Sequence, residues 1–113
     1  MTEINKENKE DIHLISVKGE IDAGSSILLD NAFREALKNN KKKIAADLSE
    51  LEYISSAGLG VFISYLEEFS ANNIQLVLFG IKESVKQVFD ILGLEKLLLI
   101  VKTEKDAMNA FDD

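Results

Sequence analysis

Two hydrophobic rhythms alternate along this 113-residue chain. Four short runs of aliphatic and β-branched residues read as strands: IHLISVK (12–18), IAADL (44–48), IQLVLF (74–79) and LLLIV (97–101). Between and after them, apolar residues recur three and four apart, the spacing of a helix with one covered face. The first stripe is Leu29, Phe33, Ala36 and Leu37. The second is Leu59, Phe62, Ile63 and Leu66, with Val61 and Tyr65 off the stripe. The third is Val85, Val88, Phe89 and Leu92, and a short last one carries Ala107, Ala110 and Phe111. Breakers fall where the rhythm changes. Gly19 reads as the end of the first strand, Asn39-Asn40 and Asn72-Asn73 as helix ends, Gly80 as a strand end and Gly93 as a helix C-terminal glycine. Thr103 is placed to cap the last helix. Ile4 is the only apolar residue between Thr2 and Asp11, which leaves room for a short edge strand and a turn over 8–11. Residues 49–54 read as a connection. The order β–α–β–α–β–α–β–α predicts a small α/β domain over 1–113, with parallel strands joined by right-handed crossovers.

Composition narrows the class. The chain is 46% hydrophobic and 29% charged, a balance that supports a packed core and argues against disorder. It has no cysteine, so neither a disulfide framework nor a thiolate metal site is expected, and a cytoplasmic setting fits. The net charge of −7 argues against direct nucleic-acid binding. The only basic cluster, Lys41-Lys42-Lys43, reads as a solvated turn. No apolar run reaches membrane-span length, and the polar N-terminus lacks a signal-peptide core.

One stretch carries candidate chemistry. In YISSAGLGVF (53–62), two serines, an alanine and two glycines interrupt an apolar run where a strand gives way to a helix. Sites in open α/β sheets gather at such junctions. The first turn of a helix offers unpaired N–H groups and the positive end of a dipole, so an anion is tolerated there. Ser56 is placed to be the N-cap, and Ala57, Gly58 and Gly60 leave it uncrowded. Each glycine costs a helix about 1 kcal/mol relative to alanine, so two in one turn need a reason. Several readings compete. Ser55 or Ser56 could be a plain cap with glycines that ease packing. A nucleotide loop lacks its Gly-Lys-Ser/Thr ending. A serine nucleophile would depend on His13, the only histidine, which shares parity with Ile15 and Val17 and reads as a partly buried strand residue. A phosphorylation site on Ser56 fits better. The added charge of about −1.5 to −2 would suit the helix end and would act by spoiling a binding surface.

Three segments, GEID (19–22), DLSELEYISSAGLGVF (47–62) and VKQVFDILGLEKLLLI (85–100), resemble the STAS domain of bacterial anti-sigma factor antagonists. The similarity runs in order through essentially the whole chain. Its specific part is the Ser-x-Gly-Leu-Gly core after the DLS…Y strand. It implies a small, mixed, mostly parallel sheet flanked by about four helices, with an edge strand near 2–7. It also implies a non-enzymatic role without a cofactor. Such an antagonist binds an anti-sigma factor that is a serine kinase, frees the sigma factor, and is switched off by phosphorylation and reset by a serine phosphatase. The family's phosphorylated serine maps onto Ser56. Asp22, Ala23, Gly24 and Ser25 map onto the partner-binding face, beside Ser55, Ser56, Ala57 and Gly58.

One departure stands out. The residue before the phosphorylated serine is usually aspartate in the family and is Ser55 here, which makes Ser55 a rival acceptor. Ala57, where serine or threonine is common, is a milder change. The alternative function is an unphosphorylated STAS module serving as scaffold or subunit of a regulatory or lipid-transport assembly. Nucleotide binding by the domain itself is the third reading. A monomer or weak dimer is expected.

Overall fold

The computed structural model describes residues 2–111. Five strands form one sheet in the order β1-β2-β3-β4-β5: β1 Glu3–Lys9, β2 Ile12–Ile21, β3 Lys43–Ile54, β4 Gln75–Phe79 and β5 Leu99–Val101. β1 runs antiparallel to β2, and every later pairing is parallel. Helices α1 (Ser26–Lys38), α2 (Ser56–Ala71) and α3 (Glu83–Ile91) make the three crossovers, a 3-10 turn spans Leu94–Lys96, and α4 (Glu104–Ala110) follows β5. Strand order advances one step at a time, so right-handed crossovers place α1, α2 and α3 on the same face.

The strand side chains divide accordingly. Ile15, Val17, Ile44, Ala46 and Leu78 point into the three-helix layer, while Ile12, Leu14, Ala45, Val77 and Phe79 point to the face that α4 covers with Ala107 and Phe111. The larger core is centred on aromatic rings in edge contact. Phe33 of α1 meets Phe62, Tyr65 and Phe69 of α2 at 5.5, 5.5 and 5.6 Å, and Phe62 meets Phe89 of α3 at 5.5 Å. Such pairs add about 0.5–1.5 kcal/mol each beyond burial.

The predicted α/β class holds, and several boundaries are corrected. The first strand does not end at Gly19. Gly19 adopts φ +88° inside β2, where the pairing with β3 shifts register, and the chain continues to Ile21. Residues 49–54 are not a connection but the second half of β3. Two register shifts against β2 insert extra residues in β3, so its inward side chains become Leu48, Leu51 and Ile54, three apart. A bulged strand therefore loses the period-two signature that identifies strands. β1 extends to Lys9, and the turn is confined to Glu10 and Asp11. Lys43 belongs to β3 and pairs with Asp11 at 2.9 Å. β5 begins at Leu99 rather than Leu97 because the 3-10 turn after Gly93 occupies the preceding residues. On α2 the buried stripe is Leu59, Phe62, Tyr65 and Phe69, and Ile63 is exposed. Leu92 is likewise exposed, beyond the end of α3.

Candidate functional site

The carboxyl ends of β2 and β3 lie side by side, with Ile21 opposite Ile54. Each strand turns there into its helix. After β2 the chain forms the loop 22–25 before α1, and after β3 only Ser55 separates strand from α2. The two turns are tied together, since the Ser55 backbone N–H donates to the Ile21 carbonyl at 2.8 Å.

The loop before α1 is held by reciprocal bonds between its ends. The Asp22 N–H donates to Ser25 Oγ at 2.9 Å, and the Ser25 N–H donates to Asp22 Oδ1 at 2.8 Å. The Ser25 hydroxyl also donates to Asp22 Oδ1 at 2.7 Å. These bonds close the loop on itself, and α1 starts on backbone bonds alone, the Ser26 N–H to the Asp22 carbonyl at 3.0 Å and the Leu28 N–H to the Ser25 carbonyl at 2.9 Å. The bonds from Ser25, its hydroxyl first and then its N–H, hold the Asp22 carboxyl below the usual carboxylate range. Ala23 and Gly24 stay exposed at the tip.

At the start of α2 the two serines have different work. Ser55, not Ser56, is the N-cap: its backbone is extended (φ −85°, ψ 171°), and its Oγ accepts from the Gly58 N–H at 3.3 Å. The reason is geometric, because only the residue before the first helical one can turn its side chain back onto the N–H three positions on. Ser56 is the first helical residue. It is exposed, and among the described residues its hydroxyl makes no hydrogen bond. The first turn of α2 contains no acidic residue to offset its dipole.

The glycines also differ. A β-carbon on Gly58 would meet Ile21 Cγ2 at 2.6 Å and Ile54 Cγ1 at 2.7 Å, so this turn sits directly on the strand ends and has no room for a side chain. Gly60 is exposed and nothing stands within 4 Å of its would-be β-carbon. Ser56, Gly60 and Ile63 follow one face of α2 by helical spacing, and Ile63 is exposed, as are Ile27 in the first turn of α1 and Tyr53 near the end of β3. Residue patterning placed Ile63 in the core and left Ile27 and Tyr53 without a role.

Tyr65 fastens α1 to α2 behind this face. Its hydroxyl donates to Asp30 Oδ1 at 2.5 Å, and Asp30 pairs with Arg34 at 3.1 Å. Burial first, and then the bond to Asp30, raise the Tyr65 pKa.

The only histidine lies far from the two serines. His13 pairs with Ile44 at the amino end of the parallel strands, whereas Ser56 follows Ile54 at the carboxyl end. Ile44 and Ile54 are ten positions apart on β3, roughly 30 Å of extended chain. The structure does not bring the only histidine to the serines. His13 is buried, with Nδ1 3.0 Å from Asn8 Oδ1. Among the described residues no cluster of His, Asp or Glu could hold a metal ion, and no helix is long and apolar enough to cross a membrane.

Comparison with known proteins agrees with this architecture. Residues 3–107 match the STAS domain family. The anti-sigma-B factor antagonist of Listeria monocytogenes is 32% identical over 99 residues, covering 88% of this chain and 87% of that protein. The anti-sigma-B factor antagonist of Staphylococcus aureus is 26% identical over 84 residues, 74% of this chain and 78% of that protein. Among solved structures, an anti-sigma factor antagonist from Mycobacterium paratuberculosis superposes with a TM-score of 0.91 at 22% identity, over 100% of this chain and 96% of that one. The Bacillus cell fate determinant SpoIIAA in its phosphorylated form superposes with a TM-score of 0.74 at 19% identity, over 96% and 99% of the two chains. A helical serine at the carboxyl end of a mostly parallel sheet, the Ser-Ala-Gly-Leu-Gly turn around it and similarity along nearly the full length converge: the chain belongs to the STAS-domain family of anti-sigma factor antagonists.

Proposed function

We propose that this protein antagonises an anti-sigma factor that is also a serine kinase, and that phosphorylation of Ser56 ends the contact. The observation that carries the reading is the division of labour between the two serines. Ser55 spends its hydroxyl on the helix cap, and Ser56 presents an exposed, uncommitted one beside it. The partner face is the loop Asp22, Ala23, Gly24 and Ser25 together with Ser55, Ser56, Ala57 and Gly58, two turns joined by the bond from Ser55 to Ile21. The names of the relatives support the same role, and a structural neighbour in phosphorylated form shows that this fold accommodates the modification in that protein.

The proposed mechanism is electrostatic. ATP belongs to the kinase, and this chain is ligand and substrate. A phosphate on Ser56 adds about −1.5 to −2 charge at a helix end that accepts it, so the fold survives while the surface changes. The face already carries the Asp22 carboxylate. Added negative charge and its hydration shell oppose a close-fitting partner, and each 1.4 kcal/mol lost is about tenfold in affinity. A serine phosphatase restores the hydroxyl, in the cytoplasm where sigma factors act.

A neutral cap at Ser55, where the family usually has aspartate, favours a second reading, an unphosphorylated STAS scaffold within a larger assembly. Phosphosite mapping by mass spectrometry on protein from its native cells separates the two. Phosphate on Ser56 supports the switch. Well-covered peptides without phosphate through growth and stress conditions support the scaffold.

A further inference from the structure

The three crossover helices pack on one face of the sheet and α4 on the other, so the chain changes face once. The change falls between β4 and β5. β4 leads through residues 80–82 into α3, and β5 leads through 102–103 into α4. The two strands are parallel and stay paired to their last residues, Phe79 opposite Val101. Beyond that pair their continuations part to opposite faces. The other parallel neighbours, β2 with β3 and β3 with β4, send their helices to the same face. In open parallel sheets a crevice forms outside the carboxyl ends of neighbouring strands whose connections diverge, and ligands bind there.

Such a crevice is present. A cavity of 380 Å³ lies between the loop after β4, the start of α3 and the end of β5. Its size falls in the range of small-molecule sites, about 300–1,000 Å³. Ile81, Ile100 and Val101 form its apolar wall, and each is half-buried. Ile81 and Ile100 rest on the three-helix core and Val101 on the α4 core, so the wall is the seam where the two cores meet. No lining side chain is aromatic.

The charged lining is two lysines, Lys86 and Lys102, against one acid, Glu83. Lys86 is anchored by Asp90 at 3.0 Å, and that bond above all raises its pKa, with Glu83 adding to the effect. An ammonium group has three donors, so the anchor leaves others for a ligand. Lys82 is not part of the lining and pairs with Glu52. Lys102 is exposed and has no ion-pair partner among the described residues. In a chain of net charge −7, this cavity combines an available cation with an uncovered aliphatic wall.

We propose that this crevice binds a small aliphatic anion, a carboxylate whose head pairs with Lys102 and Lys86 and whose hydrocarbon body covers Ile81, Ile100 and Val101. The branched aliphatic wall suits a saturated chain rather than a ring. The site shares no residue with the Ser56 face and does not depend on the role proposed for that serine. A short ligand in an open cavity binds with a millimolar dissociation constant, on the order of what its few atoms allow.

Amide NMR of the full chain, titrated with sodium hexanoate from about 0.1 to about 50 mM at constant ionic strength, tests this. Saturable shifts are expected at residues 80–86 and 100–102. Lys102→Glu should weaken binding at least tenfold and Lys102→Arg should retain it, with the amide spectra showing that both variants keep the fold. Hexan-1-ol has the same body without the charge, and inorganic phosphate has the charge without the body. Each should bind at least tenfold more weakly than hexanoate. No saturable shift up to the highest concentration overturns the proposal. So do shifts centred on another surface, indifference to Lys102→Glu, or an equal response to hexan-1-ol or to phosphate. Binding of leucine where hexanoate fails would make this a zwitterion site with Glu83 facing the ammonium group, and would equally overturn the anion.

Discussion

The Ser55 N–H donates to the Ile21 carbonyl at 2.8 Å, one residue past the last paired position of β2 and β3. That bond extends the sheet's pairing into the turn that starts α2. It fixes the Ser56 turn against the strand that leads into the Asp22 loop. The candidate binding face is therefore a single rigid unit formed from two distant segments. Changes on its surface are expected to alter binding, and changes beneath it to alter stability.

Ser56→Asp separates those two effects. The substitution puts a carboxylate at the first position of a helix whose first turn holds no acid. The dipole favours it by about 0.3–1 kcal/mol. The thermal midpoint is expected to hold or rise slightly, while affinity for the anti-sigma kinase falls tenfold or more. Titration calorimetry with that kinase and a thermal melt check both halves. A variant that unfolds would refute the anion-tolerant helix end, and an unaltered affinity would place Ser56 outside the interface.

Ser55 is expected to matter for the fold rather than as phosphate acceptor. Ser55→Ala removes the oxygen that accepts from the Gly58 N–H and should lower stability by about 1 kcal/mol. Ser55→Asp keeps the cap and adds a favourable charge, so it should match or exceed the natural protein. Chemical denaturation of the three proteins gives the order. In kinase reactions, Ser55→Ala should still incorporate phosphate and Ser56→Ala should not.

Much of this was legible in the chain, and the failures have physical causes. Element order, the parallel class, the Thr103 cap (3.1 Å from the Asp106 N–H) and the left-handed Gly93 at φ +73° follow from local chemistry that neighbours do not override. The second half of β3 was hidden because its bulges reset the inward positions to 48, 51 and 54, which no alternation rule detects. The register of the two serines was ambiguous because both are good caps. Strand pairing through Ile21, a contact between distant residues, decides that Ser55 takes the role. Exposure of Ile63 depends on how α2 rolls against α1, which the Phe33 contacts set.

The two glycines of α2 should answer oppositely to alanine. At Gly58 the methyl group would sit 2.6–2.7 Å from Ile21 and Ile54, both fully packed. Overpacking of this kind costs about 1–3 kcal/mol and outweighs the helix-propensity gain of about 1 kcal/mol. Gly58→Ala is expected to destabilise the domain and shift the turn that carries Ser56. At Gly60 nothing is close, so Gly60→Ala should stabilise by up to about 1 kcal/mol. Denaturant midpoints test both signs. If Gly60→Ala gains stability but loses kinase affinity, the glycine is there for the partner's close approach.

His13 gives the domain a mildly acid-sensitive stability. Burial is the main force lowering its pKa, helped by Lys41 and Lys6, while Glu35 opposes. The folded protein therefore takes up this proton less readily than the unfolded chain, whose histidine titrates near 6.5. As pH falls through that value, protonation favours unfolding, and stability declines until the folded pKa is passed. The slope from one group is at most about 1.4 kcal/mol per pH unit. Asp11 and Asp22, with lowered carboxyl pKa values, act in the same direction but only as pH falls through and below the ordinary carboxylate range. A decline in stability between about pH 7 and pH 5 thus isolates His13. His13→Gln cannot protonate and should flatten the profile in that window while leaving the carboxylate-driven loss at lower pH in place. Urea midpoints at half-unit intervals resolve the two regions, and an identical slope in the variant would mean that His13 is solvated enough to titrate normally.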